Sequence, residues 1–272
     1  MKKFFKAAML ALSFSLAAPG FALASDDFTI TGSTTVLPIM QKIAERYIDI
    51  NPAAVIIVSG GGSGNGIKAI IDNTASMAMS SRGLKEAEIK AAKDKGVELN
   101  LIPIAIEAVV PVVNPTNPVT DLSQDQLKQI FAGEITNWKE VGGEDKGIVI
   151  ISRDTSSGTY ETWDELIMKK TKISPRALLQ PSSGAVLQIV AKNKYAIGYE
   201  SYGYVDSSVK ALKVGGVEGS PKTAVDGAYP LTRKLYLLTN GKPEGRAKAL
   251  VQYIRGAQGI KIITEEGAVP VK

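Results

Sequence analysis

The sequence that decides the fold is IVIISRDTSSGT, residues 148–159, in which an apolar run leads directly into a turn of small polar residues. The run Ile148–Ile151 is typical of a strand that is buried on both faces. The hydroxyl residues that follow, up to Thr159, are typical of the cap that begins a helix. Strand, polar turn and helix in this order form the repeating unit of α/β proteins with largely parallel sheets.

Two earlier segments repeat this design. Phe28–Thr31 alternates as a strand and leads into the turn Gly32–Thr35, while the apolar run Val55–Val58 leads into the turn Gly60–Gly66. An amphipathic helical pattern follows each turn. Strand and helix patterns alternate in this way almost throughout the chain, so the sequence predicts an α/β fold.

The strand patterns also indicate two lobes. Two strands in succession, 99–104 and 108–113, lead into a middle segment that ends at Tyr199, after which further strand and helix patterns rejoin the first unit. We therefore predict a discontinuous first lobe, residues 25–107 and 200–272, and a second lobe, residues 108–199. A cleft between two such lobes is a natural ligand site.

The first 24 residues have the three parts of a secretory signal peptide: a basic start, the apolar run Ala7–Leu16 and the small-residue end Ala22–Ala24. This run is shorter than the ~20 apolar residues that a transmembrane helix needs. We expect cleavage after Ala24, a mature chain from Ser25 and a periplasmic location. We expect no lipid anchor, because the sequence has no Cys to carry one.

Charge and composition exclude several classes of function. The sequence carries a net charge of +5, of which Lys2, Lys3 and Lys6 of the signal peptide supply three, so +2 remains on the mature chain. This balance argues against nucleic acid as a partner. The sequence has no His and no Cys, which excludes thiolate chemistry, His general-base catalysis and ordinary zinc sites. We expect neither a cofactor nor a metal site.

The three polar turns predict an anion site. The first amides of a helix have no partner inside the helix, and the helix dipole adds partial positive charge there. Small residues admit a ligand close to the backbone, and hydroxyls add donors, so such turns suit tetrahedral oxyanions. One turn alone is typical of plain helix capping, whereas three at strand-to-helix junctions favour anion binding. The Gly-rich turn is not a nucleotide loop, because Ile67 stands where its Lys belongs.

Two arginines lie beside these turns. Arg153 follows a buried strand directly and precedes the third turn, where a guanidinium is suited to bidentate oxyanion binding. Arg82 follows Ser81 in a comparable place, and there a ligand role and a structural role remain open.

An enzyme would have to use Ser157 or another Ser as nucleophile without His, and no Ser-x-x-Lys motif lies at these turns. We therefore expect no enzymatic activity.

At these residues the sequence resembles the periplasmic phosphate-binding proteins of ABC importers, in their shorter form. The resemblance covers nearly the whole mature chain, and its segments include Gly32–Thr34, Gly62–Gly64, Met79–Arg82, Phe131–Trp138, Arg153–Thr159, Ala196–Tyr199 and Gly267–Pro270. It implies a two-lobed type II periplasmic-binding fold that closes around inorganic phosphate. It also implies a membrane permease as partner, and we expect a monomer.

The resemblance implies roles for individual residues. Thr34 and Ser63 donate hydroxyl and amide hydrogen bonds from the first lobe, and Ser33 helps through its amide. The second lobe contributes a matching set of donors, namely Arg153, Ser157, Gly158 and Thr159.

Two departures from the longer members concern selectivity. Those members have Asp where Ser81 stands here, and that Asp accepts a hydrogen bond from protonated phosphate; a second Asp corresponds to Thr155. We predict that Glu107, at the lobe crossing, supplies the missing acceptor, and the alternative is a structurally paired acid at a hinge.

Other functions also remain open: a binder of sulfate, molybdate or tungstate, an exported Ser-dependent phosphatase, or an extracellular adhesion or scaffold role.

Overall fold

The computed structural model describes residues 27–271, so the predicted signal peptide, residues 1–24, and the mature start at Ser25 lie outside the described residues. The strands are β1 (Phe28–Gly32), β2 (Ile56–Gly60), β3 (Met77–Ser80), β4 (Leu99–Val113), β5 (Asp121–Leu122), β6 (Val149–Arg153), β7 (Leu178–Gln180), β8 (Ala196–Ser201), β9 (Lys210–Ala211), β10 (Lys213–Val214), β11 (Thr232–Asn240) and β12 (Val269–Pro270). The α-helices are α1 (Leu37–Ile50), α2 (Ser63–Ile71), α3 (Glu86–Asp94), α4 (Gln124–Ala132), α5 (Gly158–Trp163), α6 (Ser183–Lys192), α7 (Pro221–Val225), α8 (Gly245–Arg255) and α9 (Ala257–Glu265). A π-helical turn, Asp164–Met168, continues α5.

One long strand connects the two lobes. The strand order is β2-β1-β3-β11-β4-β8-β6-β7, with β1 parallel to β2 and β3, and β6 parallel to β7 and β8. The 15 residues of β4 pair with β11 over Leu99–Ala108 and with β8 over Val109–Val113. β4 therefore belongs to both lobes, and the prediction of a two-lobed α/β fold is confirmed.

Each lobe has its own apolar core. In the first lobe, α1, α8 and α9 cover the sheet through a cluster that includes Ile30, Met40, Leu237 and Ile254. In the second lobe, the core includes a group of aromatic rings, in which Trp163 stacks on Tyr199 with ring centroids 4.4 Å apart. Among residues 27–271, no helix is long and apolar enough to cross a membrane.

The second core extends further along the chain than residue 199. Six buried side chains between β8 and β11 pack in it, namely Val209, Leu212, Val214, Ala224, Tyr229 and Leu231. In addition, β9 pairs with Val112 and Val113 of β4. We therefore propose that the second lobe spans residues 108–231. The elements of the added segment are too short for a periodic pattern to reveal which core they join.

The two crossings between the lobes lie side by side. The amide of Val109 donates to the carbonyl of Leu231 at 2.8 Å, and Thr232 then pairs with Ala108 as β11 begins. Both connections therefore pass through one antiparallel ribbon.

We predict that Leu237→Ala lowers the free energy of unfolding by about 2–5 kcal/mol, since it leaves a cavity in the first core. Leu237 is fully buried on β11, whereas Ile57 on the edge strand β2 is 47% exposed. Ile57→Ala is the matched control and should cost about 1 kcal/mol or less. Denaturant unfolding measures both, and similar losses in the two variants would contradict this description of the core.

Candidate oxyanion site

The first polar turn begins where β1 ends. Gly32 has a φ of 134°, and a Cβ on it would lie 2.2 Å from the carbonyl oxygen of Met79, so only glycine fits there. The Ser33 amide donates to that same oxygen at 2.9 Å. Thr34 is thereby positioned with a buried hydroxyl that faces the second lobe.

The second turn is tied to the first by backbone hydrogen bonds. The amides of Gly61 and Gly62 both donate to the Gly32 carbonyl, each at 2.8 Å. Ser63 then begins α2, and its hydroxyl accepts from the Ser81 amide at 3.0 Å and lies 3.3 Å from the Ser81 hydroxyl. Ser63 and Ser81 thus form one buried pair at the end of β3.

The third turn carries the cap of α5. The Ser157 hydroxyl accepts from the Tyr160 amide at 3.2 Å, which is the bond expected of a helix cap. Gly158 and Thr159 form the first turn of the helix and are buried. The first amides of a helix have no partner inside it and, with the helix dipole, make this end electropositive.

The structure brings the three turns together across the cleft. The hydroxyls of Thr35 and Thr159 lie 2.9 Å apart, and the Gly64 amide donates to the Ser156 carbonyl at 2.9 Å. Every predicted residue of the three turns is buried: Ser33, Thr34, Ser63, Ser157, Gly158 and Thr159. The lobes are therefore in direct contact around the site.

Arg153 lies at the centre of these contacts. Its Nε donates to the Gln180 carbonyl at 3.1 Å, which fixes the guanidinium at the end of β7. Its Nη1 donates to the Ser183 hydroxyl and its Nη2 to the Thr34 hydroxyl, each at 3.2 Å. The guanidinium thus belongs to the second lobe and reaches the first turn of the other lobe.

Two residues of this centre are absent from the sequence prediction. Ser183 follows the helix cap Ser182, and in sequence such a polar pair is typical of a cap alone. Glu200 lies near the end of β8, fully buried, with its Oε1 3.7 Å from Nη1 of Arg153. Nothing in the apolar pattern of residues 196–199 distinguishes it. Burial raises the pKa of Glu200 to about 7, against the opposing effects of Arg153 and the Ser183 hydroxyl.

Glu107 is engaged at the hinge. Its Oε1 contacts Nε and Nη2 of Arg233 at 2.7 and 2.6 Å, and its Oε2 accepts from the Ser201 hydroxyl. Nη2 of Arg233 also donates to Thr35 at 3.2 Å. This geometry matches the alternative interpretation, a structurally paired acid, because both carboxylate oxygens already have partners. We therefore no longer place Glu107 among the groups that face an anion.

Arg82 is likewise engaged by carboxylates. Its Nη1 and Nη2 donate to Glu88 at 2.8 and 2.6 Å, and its Nε lies 2.6 Å from Oε2 of Glu161 in the second lobe. Lys85 contacts the other oxygen of Glu161 at 2.7 Å. Of the two roles that the sequence left open for Arg82, the geometry favours the structural one, in an ion cluster that joins the lobes.

Comparison with known proteins identifies the family of this chain. The model of the PBP superfamily domain matches residues 17–257. The phosphate-binding protein PstS of Bacillus subtilis is 33% identical over 93% of this chain and 84% of its own length. The protein of the same name from Borreliella burgdorferi is 29% identical over 90% of each chain.

Solved structures show the same fold. A putative phosphate ABC transporter substrate-binding protein from Clostridium perfringens, with bound phosphate, superposes with a TM-score of 0.85 at 33% identity, covering 91% of this chain and 100% of its own. An ABC-type phosphate transport receptor from Vibrio cholerae gives a TM-score of 0.72 at 33% identity, covering 89% and 99% of the two chains.

We predict that Glu161→Gln lowers the free energy of unfolding by about 1–3 kcal/mol, because it leaves Arg82 and Lys85 without their partner in the other lobe. Glu165→Gln is the matched control: Glu165 is exposed in the π-helical turn that continues α5, and we expect a change of about 0.5 kcal/mol or less. Urea unfolding measures both. Equal effects would mean that the ion cluster does not hold the lobes together in solution.

Proposed function

This chain belongs to the PBP superfamily and, within it, to the family of phosphate-binding proteins. On that premise we propose that it binds inorganic phosphate between its lobes and delivers it to the permease of an ABC importer. The observation that carries the proposal is the buried guanidinium of Arg153, held where three donor-rich turns from two lobes converge. A buried cation of this kind is stable only with an anion or several acceptors around it.

Each lobe has a defined part in this proposal. From the second lobe, Arg153 provides charge and directed N–H donors, and the first turn of α5 provides amides. From the first lobe, the hydroxyls of Thr34 and Ser63 add hydrogen-bond donors that the second lobe alone does not supply. Since the phosphate contacts both lobes, binding favours the arrangement in which they are in contact.

We also propose how the protein operates in the cell. The predicted signal peptide exports it to the periplasm, where it acts as a free monomer that captures phosphate and docks on the permease. The proposed role needs no bond-breaking step. The hydroxyl of Ser157, the residue that an enzyme would use, accepts a backbone hydrogen bond as a helix cap, and we expect no turnover of a chromogenic phosphate ester.

Calorimetric titration tests the proposal directly. We expect one phosphate per chain, with a dissociation constant at or below about 1 µM, because hydrogen bonds to charged groups contribute roughly 1.5–3 kcal/mol each. Millimolar binding of phosphate, beside tight binding of sulfate or molybdate, would assign the site to another oxyanion.

Arg153→Lys should bind phosphate much more weakly, by about tenfold or more, although the charge is kept, because an ammonium cannot replace the bidentate fork. Arg153→Ala should be weaker still. Arg176→Lys is the matched control, since Arg176 is exposed in the same lobe, and it should titrate like the parent. Parent-like binding by both Arg153 variants would remove Arg153 from the site.

Gly158→Ala should prevent the lobes from reaching their contact distance. A Cβ at Gly158 would lie 2.4 Å from the Ser63 hydroxyl and 2.5 Å from that of Ser81, whereas a Cβ at Gly184 meets nothing within 4 Å. Either the serine hydroxyls rotate away from the anion or the lobes separate, so phosphate affinity falls in both cases. Gly184→Ala is the matched control in the first turn of α6.

Calorimetry and small-angle scattering measure this effect. The parent and Gly184→Ala should show a smaller radius of gyration with phosphate than without it, and Gly158→Ala a smaller change. Identical scattering curves for the parent with and without saturating phosphate would refute lobe closure.

A further inference from the structure

We propose that Arg233 acts on the anion site through a chain of hydroxyl groups, in which Arg233 donates to Thr35, Thr35 donates to Thr159, and Thr159 donates to the bound anion. Arg233 and Thr35 are then positioning residues, because they set the direction of the Thr159 hydroxyl. The inference rests on the proposed function, since it concerns how the same site binds phosphate.

The chain runs from the hinge to the site through three buried side chains. Arg233 lies near the start of β11 at the lobe crossing, Thr35 ends the first polar turn, and Thr159 lies in the first turn of α5. Nη2 of Arg233 donates to the Thr35 hydroxyl at 3.2 Å, and the hydroxyls of Thr35 and Thr159 lie 2.9 Å apart. Both separations are hydrogen-bond distances, so one hydroxyl of the first lobe connects the hinge guanidinium to the second lobe.

The direction of the hydrogen bonds follows from the first member of the chain. A guanidinium has N–H donors and no acceptor, whereas a hydroxyl has one proton to donate and can also accept. The Thr35 oxygen must therefore accept from Arg233. Donation from a cation polarises the Thr35 hydroxyl and makes it a stronger donor in turn. Thr35 thus donates to Thr159, and the proton of Thr159 is left for another partner.

The Thr159 proton has no acceptor in the part of the chain that the structure describes. Among residues 27–271, the Thr159 hydroxyl forms no hydrogen bond other than the one with Thr35. A buried donor without an acceptor is costly, which indicates an acceptor that comes from elsewhere. An anion oxygen fits this need, because Thr159 adjoins Gly158, which faces the hydroxyls of Ser63 and Ser81 where the turns meet.

Glu107 holds the guanidinium in the orientation that the chain requires. Its Oε1 lies 2.7 Å from Nε and 2.6 Å from Nη2 of Arg233, so it binds the same edge of the fork that reaches Thr35. Its Oε2 accepts from the Ser201 hydroxyl. The acid is thereby fixed from two sides and fixes Arg233 in turn. Since Thr35 and Thr159 belong to different lobes, the chain is complete only when the lobes are in contact.

Calorimetric titration with phosphate tests the chain by a double-mutant cycle. Thr35→Val removes the hydroxyl and keeps the shape, so we expect binding about fivefold to tenfold weaker than in the parent. Thr35→Ser keeps the hydroxyl and should lose about twofold or less. Thr159→Val removes the last member of the chain, and adding Thr35→Val to it should weaken binding by less than about twofold.

Thr162→Val is the matched control for these changes. Thr162 is a buried threonine of the same helix, and its hydroxyl donates to the Gly158 carbonyl at 3.0 Å instead of joining the chain. We expect its phosphate affinity to stay within about twofold of the parent value. A loss as large as that of Thr35→Val would mean that any buried hydroxyl near the site has this effect, and would overturn the inference.

A second cycle tests Arg233 itself. Arg233→Met is made together with Glu107→Gln, so that no unpaired carboxylate remains at the hinge. Relative to Glu107→Gln alone, we expect about fivefold weaker phosphate binding when Thr159 is present and less than about twofold when Thr159→Val is also present. An equal loss in both backgrounds would mean that Arg233 acts only as a distant charge, and would overturn the chain.

The outcomes separate this inference from the proposed function. A parent protein that does not bind phosphate refutes the proposed function itself. A parent that binds phosphate, with additive effects of Thr35→Val and Thr159→Val, overturns only the chain. Parent-like phosphate affinity of Thr35→Val, beside a lower free energy of unfolding without ligand, would make Thr35 purely structural and has the same consequence. If Arg233→Met does not fold, the first cycle decides, because additivity there is sufficient to overturn the inference.

Discussion

A guanidinium buried between two lobes has to find acceptors for its N–H groups and compensation for its charge. Arg153 meets the first need with backbone carbonyls of its own lobe and with the hydroxyls of Ser183 and Thr34. The second need is met less completely, because the Glu200 carboxylate is 3.7 Å away and fully buried itself. The donor-rich turns around the guanidinium add further positive character, so the centre suits an anion.

The hinge lies beside this centre. β4 passes through both lobes without a break and runs beside β11, and the lobe closure that we propose would twist this ribbon. The ion pair of Glu107 and Arg233 bridges the same two strands and also reaches Thr35 of the first turn. The hinge is thereby connected through protein contacts to the groups that surround the anion.

The features that could be predicted from sequence are local ones. The three turns and Arg153 are each encoded within about a dozen residues, because a buried strand must end before a helix cap begins. Glu200, by contrast, acquires its role from a residue 47 positions away and from burial, neither of which leaves a periodic trace. The sequence predicts Glu107 as an acceptor for the anion and leaves a ligand role open for Arg82, but their partners Arg233 and Glu161 are distant in sequence, so only the fold reveals that these charges are already paired.

The close approach of Gly158 to Ser63 and Ser81 also limits which nutrients the protein can recover. The lobes meet so tightly that one methyl group would collide, and the site residues are buried on every side. An anion that carries an organic substituent therefore has no room for it when the lobes are together. Phosphate held in sugars, nucleotides or lipids would therefore fit between the closed lobes only after hydrolysis had released it as the free anion.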